Sequence, residues 1–352
     1  MLELFNESAL AAGLYPGWDR ERRQQLTLVA KAAWRFERDG TLLPTDPPPL
    51  VEADTHHGKP HESSLACARE NMPFKQGGEV YLFGTAHPPR PGARAARVRL
   101  ALHGPAGQHL DKTLLVLGRR RWQSRLLRHV PGEPEPLEPT PLRYENAFGG
   151  RLPGRVDSAW PLNPAGMGCN HSDWKLACPE LPRIEWPNRL MRRPTDRLTP
   201  AGFGPLPVFW QPRLDEQGSP AEDAEFGACP WDDSAQPCLH NVAPHDQRFD
   251  APFAGGERIE LEGFFPDHAA PVRLELPPFP ARARALVEGH PVPLKLVADT
   301  FVIDTDAQIL ALVARGGIRW ALDDRRSGLI LLEADASGTS VAHPEPQREG
   351  VA

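Results

Sequence analysis

Cysteine and histidine are the residue types in this chain whose spacing first suggests chemistry. Cys169 and Cys178 enclose eight residues, as do Cys229 and Cys238, and His171 and His240 stand two positions beyond Cys169 and Cys238. Four thiolates can close a tetrahedral zinc site, but structural pairs sit about two to four residues apart so that one tight turn presents both sulfurs. The longer spacing favours free thiols, so no metal and no cofactor is expected. With Cys67 the cysteines number five, an odd count that argues against a disulfide framework and agrees with a reducing compartment. His56-His57 with His61 reads as a solvated turn before it reads as a ligand set. His61-Glu62 opens like a zincin helix, yet Leu65 stands where the second histidine is required.

The nucleophile and phosphate patterns fail in the same way. No Gly-x-Ser-x-Gly turn exposes a serine, and Gly58-Lys59 is followed by Pro60 where a phosphate loop needs Ser or Thr. Glu145, just ahead of Phe148-Gly149-Gly150, is the carboxylate in the most unusual setting. Acid/base work is one reading; accepting backbone N–H groups that order the glycine turn is the better one. No catalytic residue is therefore assigned. The rival enzyme reading is a carbohydrate-active or other hydrolase, because nine tryptophans could supply sugar platforms beside two carboxylates about 5–9.5 Å apart.

The elements that must position these groups read as strands. Among 352 residues, 41 are Pro and 30 are Gly, a density that interrupts long helices. Leu26, Leu28, Ala30, Ala32, Trp34 and Phe36 alternate with Thr27, Lys31, Arg35 and Glu37, which predicts a half-buried strand. Asp39-Gly40 then closes a hairpin, and 44–49 reads as a linker or edge segment. Strands at 80–83, at 97–103 with Val98, Leu100 and Leu102 inward, and at 112–117 extend this to an antiparallel meander. A second block holds strands at 259–261, 272–276, 285–287, 292–296, 300–303, 309–314, 318–321 and 329–332, at spacings that suit a sandwich or barrel.

The expected fold class is mainly β: antiparallel sandwich or barrel-like sheets with long Pro/Gly/Trp-rich loops. Residues 1–130 form an N-terminal β block, 131–253 a loop-rich middle segment, 254–336 a C-terminal β block and 337–352 a mobile tail. Packing of Trp160, Trp174, Trp186, Trp210 and Trp231 is expected to order the middle segment.

Charge narrows the partners. Forty basic against 46 acidic residues give a net charge of −6, which disfavours a phosphate-tracking surface. The runs at 119–121 and 189–193 read as solvated faces or loop anchors. The apolar stretch 309–314 ends at Arg315, far short of a membrane span, and Glu3 and Glu7 stand where a signal peptide would carry basic residues. A cytoplasmic protein is expected.

The most distinctive stretch is Pro141-Leu-Arg-Tyr-Glu-Asn-Ala-Phe-Gly-Gly150, followed by Trp160-Pro-Leu-Asn-Pro-Ala-Gly-Met-Gly168. Gly149, Gly150, Gly166 and Gly168 permit positive φ or close backbone approach, Asn163-Pro164 starts a turn, and Tyr144, Phe148 and Trp160 can anchor the framework. This stretch resembles the bacterial domain-of-unknown-function family 2169, whose members carry Tyr-Glu-Arg-Ala-Phe-Gly-Gly and then Asn-Pro-x-Gly-x-Gly. Glu62-Ser63-Ser64, Pro73-Phe74-Lys75, Gly84-Thr-Ala86, 118–122, 200–204, 210–213 and 243–248 follow the family in order. Asn146 replaces the family's Arg, and Arg120 replaces its Asp. The resemblance implies an adaptor or chaperone that helps load a secreted toxin effector onto the spike of a type VI secretion system, with the motif residues structural. A structural piece of that apparatus is the third reading.

Overall fold

The computed structural model describes residues 2–126, 128–151, 158–172, 175–221, 228–266, 270–321 and 324–335. The fold is mainly β, with about 42% of residues in strands and 4% in helical turns. Among the described residues, sixteen strands build the three principal sheets. They are β1 (Leu2–Asn6), β2 (Ala11–Trp18), β3 (Gln24–Phe36), β4 (Leu42–Thr45), β5 (Gly78–Phe83), β6 (Ala95–His103), β7 (His109–Leu117) and β8 (Ile184–Glu185). These are followed by β9 (Arg248–Phe249), β10 (Arg258–Glu262), β11 (Val272–Glu275), β12 (Ala281–Val287), β13 (His290–Val292), β14 (Val297–Asp304), β15 (Ile309–Arg319) and β16 (Gly328–Ala334).

A seven-stranded sheet runs β9-β5-β14-β15-β3-β2, with β4 also on β3; a five-stranded sheet runs β8-β7-β6-β10-β11; a four-stranded sheet runs β1-β16-β12-β13. Strands from both ends of the chain share each of them: β3 pairs with β15, β5 with β14, β6 with β10 and β1 with β16. The β5–β14 and β1–β16 pairings are parallel, the rest of these ladders antiparallel. The expected meander is thus corrected. Only β6 and β7 form the consecutive pair foreseen, while β5 lies in a different sheet beside a strand more than 200 residues later.

Strand length explains how three sheets share one core. At about 3.3 Å per residue, thirteen-residue β3 spans roughly 43 Å, enough for one face to meet two partners. Leu28 and Ala30, with Ile318, pack with Ala285, Val287, Ile330 and Leu332 of the four-stranded sheet. Further along the same face, Ala32, Trp34 and Phe36, with Leu310 and Leu312, pack with Val98, Leu100, Leu114 and Ile259 of the five-stranded sheet.

The opposite face of β3 departs from expectation. Thr27 and Lys31, read as the wetter side of a half-buried strand, are buried, because residues between β4 and β5 fold back across this face. Lys31 Nζ meets Glu70 Oε2 at 2.7 Å and the Pro49 carbonyl at 2.9 Å, so the segment read as a linker or edge segment supplies the end of strand β4 on the sheet and then closes over it. The Asp39-Gly40 hairpin forms as expected, Phe36 pairing with Leu42. The stretch 292–296 contributes only the end of β13, and of 318–321 only 318–319 is strand, as the end of the long β15.

In the middle segment, Trp210 is fully buried against Tyr144, Trp186 lies under the Lys112 ammonium and Trp231 packs on Trp18 and His240. Trp174 and the expected mobile tail lie outside the described residues. No helix among the described residues is long and apolar enough to cross a membrane.

Candidate functional site

Residues 144–151 and 158–168 fold into a framework held by one buried amide. Asn163 Nδ2 donates to the carbonyls of Tyr144 at 2.8 Å and Phe148 at 3.1 Å, and the Asn163 carbonyl accepts from Gly150 N at 2.8 Å. Pro164 follows it into the turn that brings Gly166 N to the same carbonyl at 3.3 Å. Phe148–Gly149 then pairs in parallel with Met167–Gly168. Phe148 packs edge-on against Trp160, with ring centroids 5.5 Å apart, and the Tyr144 hydroxyl donates to the Gly204 carbonyl at 3.2 Å.

Glycine is required where these strands touch. Gly150 has φ +97°, and a Cβ there would strike the Gly166 carbonyl; a Cβ on Gly149 would strike that of Asn163. Both obstacles are backbone atoms that cannot swing aside. Gly150→Ala is expected to cost on the order of 1 kcal/mol or more, read as a lower urea midpoint at unchanged slope. An unchanged midpoint would remove the steric account.

Glu145 does accept a backbone N–H, but a distant one. Its Oε1 receives Ser64 N at 2.8 Å and its Oε2 receives Ser64 Oγ at 2.7 Å, tying the framework to the short ladder between Thr55–His56 and Leu65–Cys67. Both oxygens are thereby engaged in holding that ladder. His57 lies nearby, its pKa pushed down mainly by burial and by Arg143, with Glu145 opposing.

Between this ladder, the Pro141–Tyr144 backbone and the sheet opens a groove of about 540 Å³, floored by Tyr81, Phe83, Val302 and Ala311 and rimmed by Cys67 and His57. Its carboxylates have structural partners. Glu70 holds Lys31 and the Val51 amide, Asp304 accepts from the amides of Asp306 and Ala307, and Asp306 accepts from Thr85.

Fragments scattered along the sequence meet in a buried polar network. Lys75 pairs with Glu79, whose other oxygen accepts the amides of Val242 at 2.8 Å and Ala243 at 3.0 Å. Gln247 donates to the carbonyls of Val80 and Phe203 and accepts from Lys112, while Arg315 pairs with Asp299 and donates to the carbonyls of Glu70 and Met72. Glu79 and Asp299 carried no local pattern that could mark them; only their burial reveals the network. Arg120, the departure from the family pattern, is buried and pairs with Glu185, and Asn146 donates to the Pro141 carbonyl.

Cys67 lines the groove, and the other four cysteines are not among its lining residues. Burial raises the pKa of Cys169, Cys178, Cys229 and Cys238, which keeps these thiols protonated. Among the described residues no group of three or more His, Cys, Asp or Glu side chains is arranged to hold a metal. His240, one of the candidate histidine ligands, is packed between the rings of Phe74 and Trp231. Treatment with a chelator is expected to leave the melting temperature unchanged, whereas a structural zinc would couple its removal to unfolding.

One further surface has site character. On the solvent side of the four-stranded sheet, Phe5 (52% exposed) pairs in register with Leu331, and Leu286 (41% exposed) with Leu329. The alternating Ile330, Leu332 and Ala285 face the core, so these four apolar side chains share the outer face. Ion pairs Arg284–Glu333 and Arg282–Asp335 border them.

The chain belongs to the bacterial family described as "Uncharacterized protein conserved in bacteria (DUF2169)", whose model matches residues 21–315. No curated protein and no solved structure gives a significant match to the chain.

Proposed function

We propose that this chain is a non-catalytic cytoplasmic adaptor or chaperone that helps load a secreted toxin effector onto a type VI secretion spike. The observation that supports a binding role is the apolar patch of Phe5, Leu286, Leu329 and Leu331, rimmed by charged pairs as protein-binding surfaces are. The sheet that carries it ends in β1 on one side and β13 on the other, so a partner strand can add by backbone hydrogen bonds while its side chains meet the patch. The secretion role itself rests on the ordered family-like segments. The engagement of Glu145 with Ser64 favours a structural part for the motif over acid/base work.

The test is co-purification from an actively secreting strain. The tagged protein should recover one toxin or spike component, and Phe5→Asp with Leu286→Asp should release it while the melting temperature holds. Deleting the gene should abolish export of one cognate toxin and leave the machine assembled. Unaffected export would sink the proposal, as would saturable turnover by the purified protein that disappears in Glu145→Gln.

A further inference from the structure

The arginine run at 189–193, read from sequence as a solvated face, lines a pocket together with a fourth arginine. Arg189, Arg192, Arg193 and Arg197 surround about 400 Å³ with Asp196 the single carboxylate among the lining residues. Asp196 does not reach the guanidinium groups by an ion pair. Its Oδ2 accepts the backbone amides of Arg192 and Arg193, each at 2.8 Å, and so closes the turn that presents those side chains. Arg197 is held from behind: its guanidinium donates to the carbonyls of Thr195 and Asp196 and lies 5.9 Å from the centroid of the Trp160 ring. Trp160 belongs to the glycine-rich framework, so the framework positions one wall of the pocket. Among the described residues no ion pair engages Arg189, Arg192 or Arg193, and all three are exposed.

We propose that this pocket binds an acidic peptide segment, a run of Asp and Glu side chains on a protein partner. Guanidinium forks match carboxylates with two parallel hydrogen bonds, and four of them around one depression can engage successive acidic residues. The charge of the whole chain selects protein over nucleic acid. At −6, the rest of the surface repels a long polyanion, whereas a short acidic segment needs only the local positive field. The pocket's chemistry does not depend on the secretion role, so it is tested with purified protein.

A fluorescein-labelled peptide of eight alternating Asp and Glu residues is titrated with the full chain at low and at physiological ionic strength, with an eight-residue Gln peptide, a 20-nucleotide single-stranded DNA and inorganic phosphate as competitors. Saturable binding that weakens with salt, resists the Gln peptide, and falls about tenfold or more in Arg192→Gln/Arg193→Gln is the expected result. The exposed pair Arg125→Gln/Arg128→Gln, on the separate hairpin of Trp122–Arg125 with Arg128–Pro131, should leave affinity unchanged. Absence of binding at low salt, equal loss in both double variants, tighter binding of DNA, or displacement by phosphate as effective as by unlabelled peptide would each overturn the proposal. Both variants alter exposed side chains, so an unchanged melting temperature confirms that the comparison reads the pocket.

Discussion

Glu79→Ala is expected to destabilise the chain by about 3–5 kcal/mol, the scale for stripping one partner from a buried ion pair. Glu79 is fully buried, and its carboxylate serves three donors: the Lys75 ammonium and the amides of Val242 and Ala243. Removal leaves a buried ammonium without its counter-charge and two amides without an acceptor. Against a typical domain stability of about 5–15 kcal/mol, that loss is a large fraction. Glu79→Gln separates the contributions, since its amide oxygen can still accept while the charge is gone. Urea denaturation of both variants measures the effect. A loss below about 1 kcal/mol in Glu79→Ala would mean that the segment 47–76 is not clamped to the sheet by this network.

Acid should weaken the fold through His240 as the pH falls below 6.5. Burial, reinforced by Arg69, Lys75, Arg213 and Arg315, pushes its pKa down from 6.5 to about 3. The unfolded chain therefore binds a proton near pH 6.5 that the folded chain refuses until about pH 3. The sign follows: this residue's share of stability is complete above pH 6.5 and is lost progressively as pH falls toward 3. At about 1.4 kcal/mol per unit, the loss reaches about 2 kcal/mol at pH 5. His240→Phe keeps a ring between Phe74 and Trp231 and removes the titration, so the difference in stability between pH 7.5 and pH 5 should shrink by that amount. An identical pH slope in the variant would show that His240 does not carry the effect.

These two residues mark where the sequence stops being informative. The alternation at 26–36, the Asp39-Gly40 turn and the apolar runs at 300–303 and 309–314 are local signals, and each became a strand or hairpin where expected. Local periodicity records that one face of a strand is buried. It does not record what covers the other, so Lys31 read as half-wet and is instead sealed beneath a segment that looked like a linker. Sheet membership was equally illegible, because β5 takes β14 as its neighbour by packing across more than 200 residues and no local pattern encodes that choice.

The motif residues divide along the same line. Their types alone announced a framework: glycines for close approach, Asn-Pro for a turn, aromatics for anchors, and Gly150, Asn163 and Phe148 take those parts within twenty residues of one another. Glu145 was legible as an acceptor of a backbone N–H, but its donor is Ser64, eighty-one residues away. Sequence determined the elements, the glycine turns and the family, because these depend on neighbours along the chain. Tertiary structure alone decided which charges are buried together, which apolar row stays exposed and which arginines surround one pocket, because burial and field depend on what the fold brings near in space.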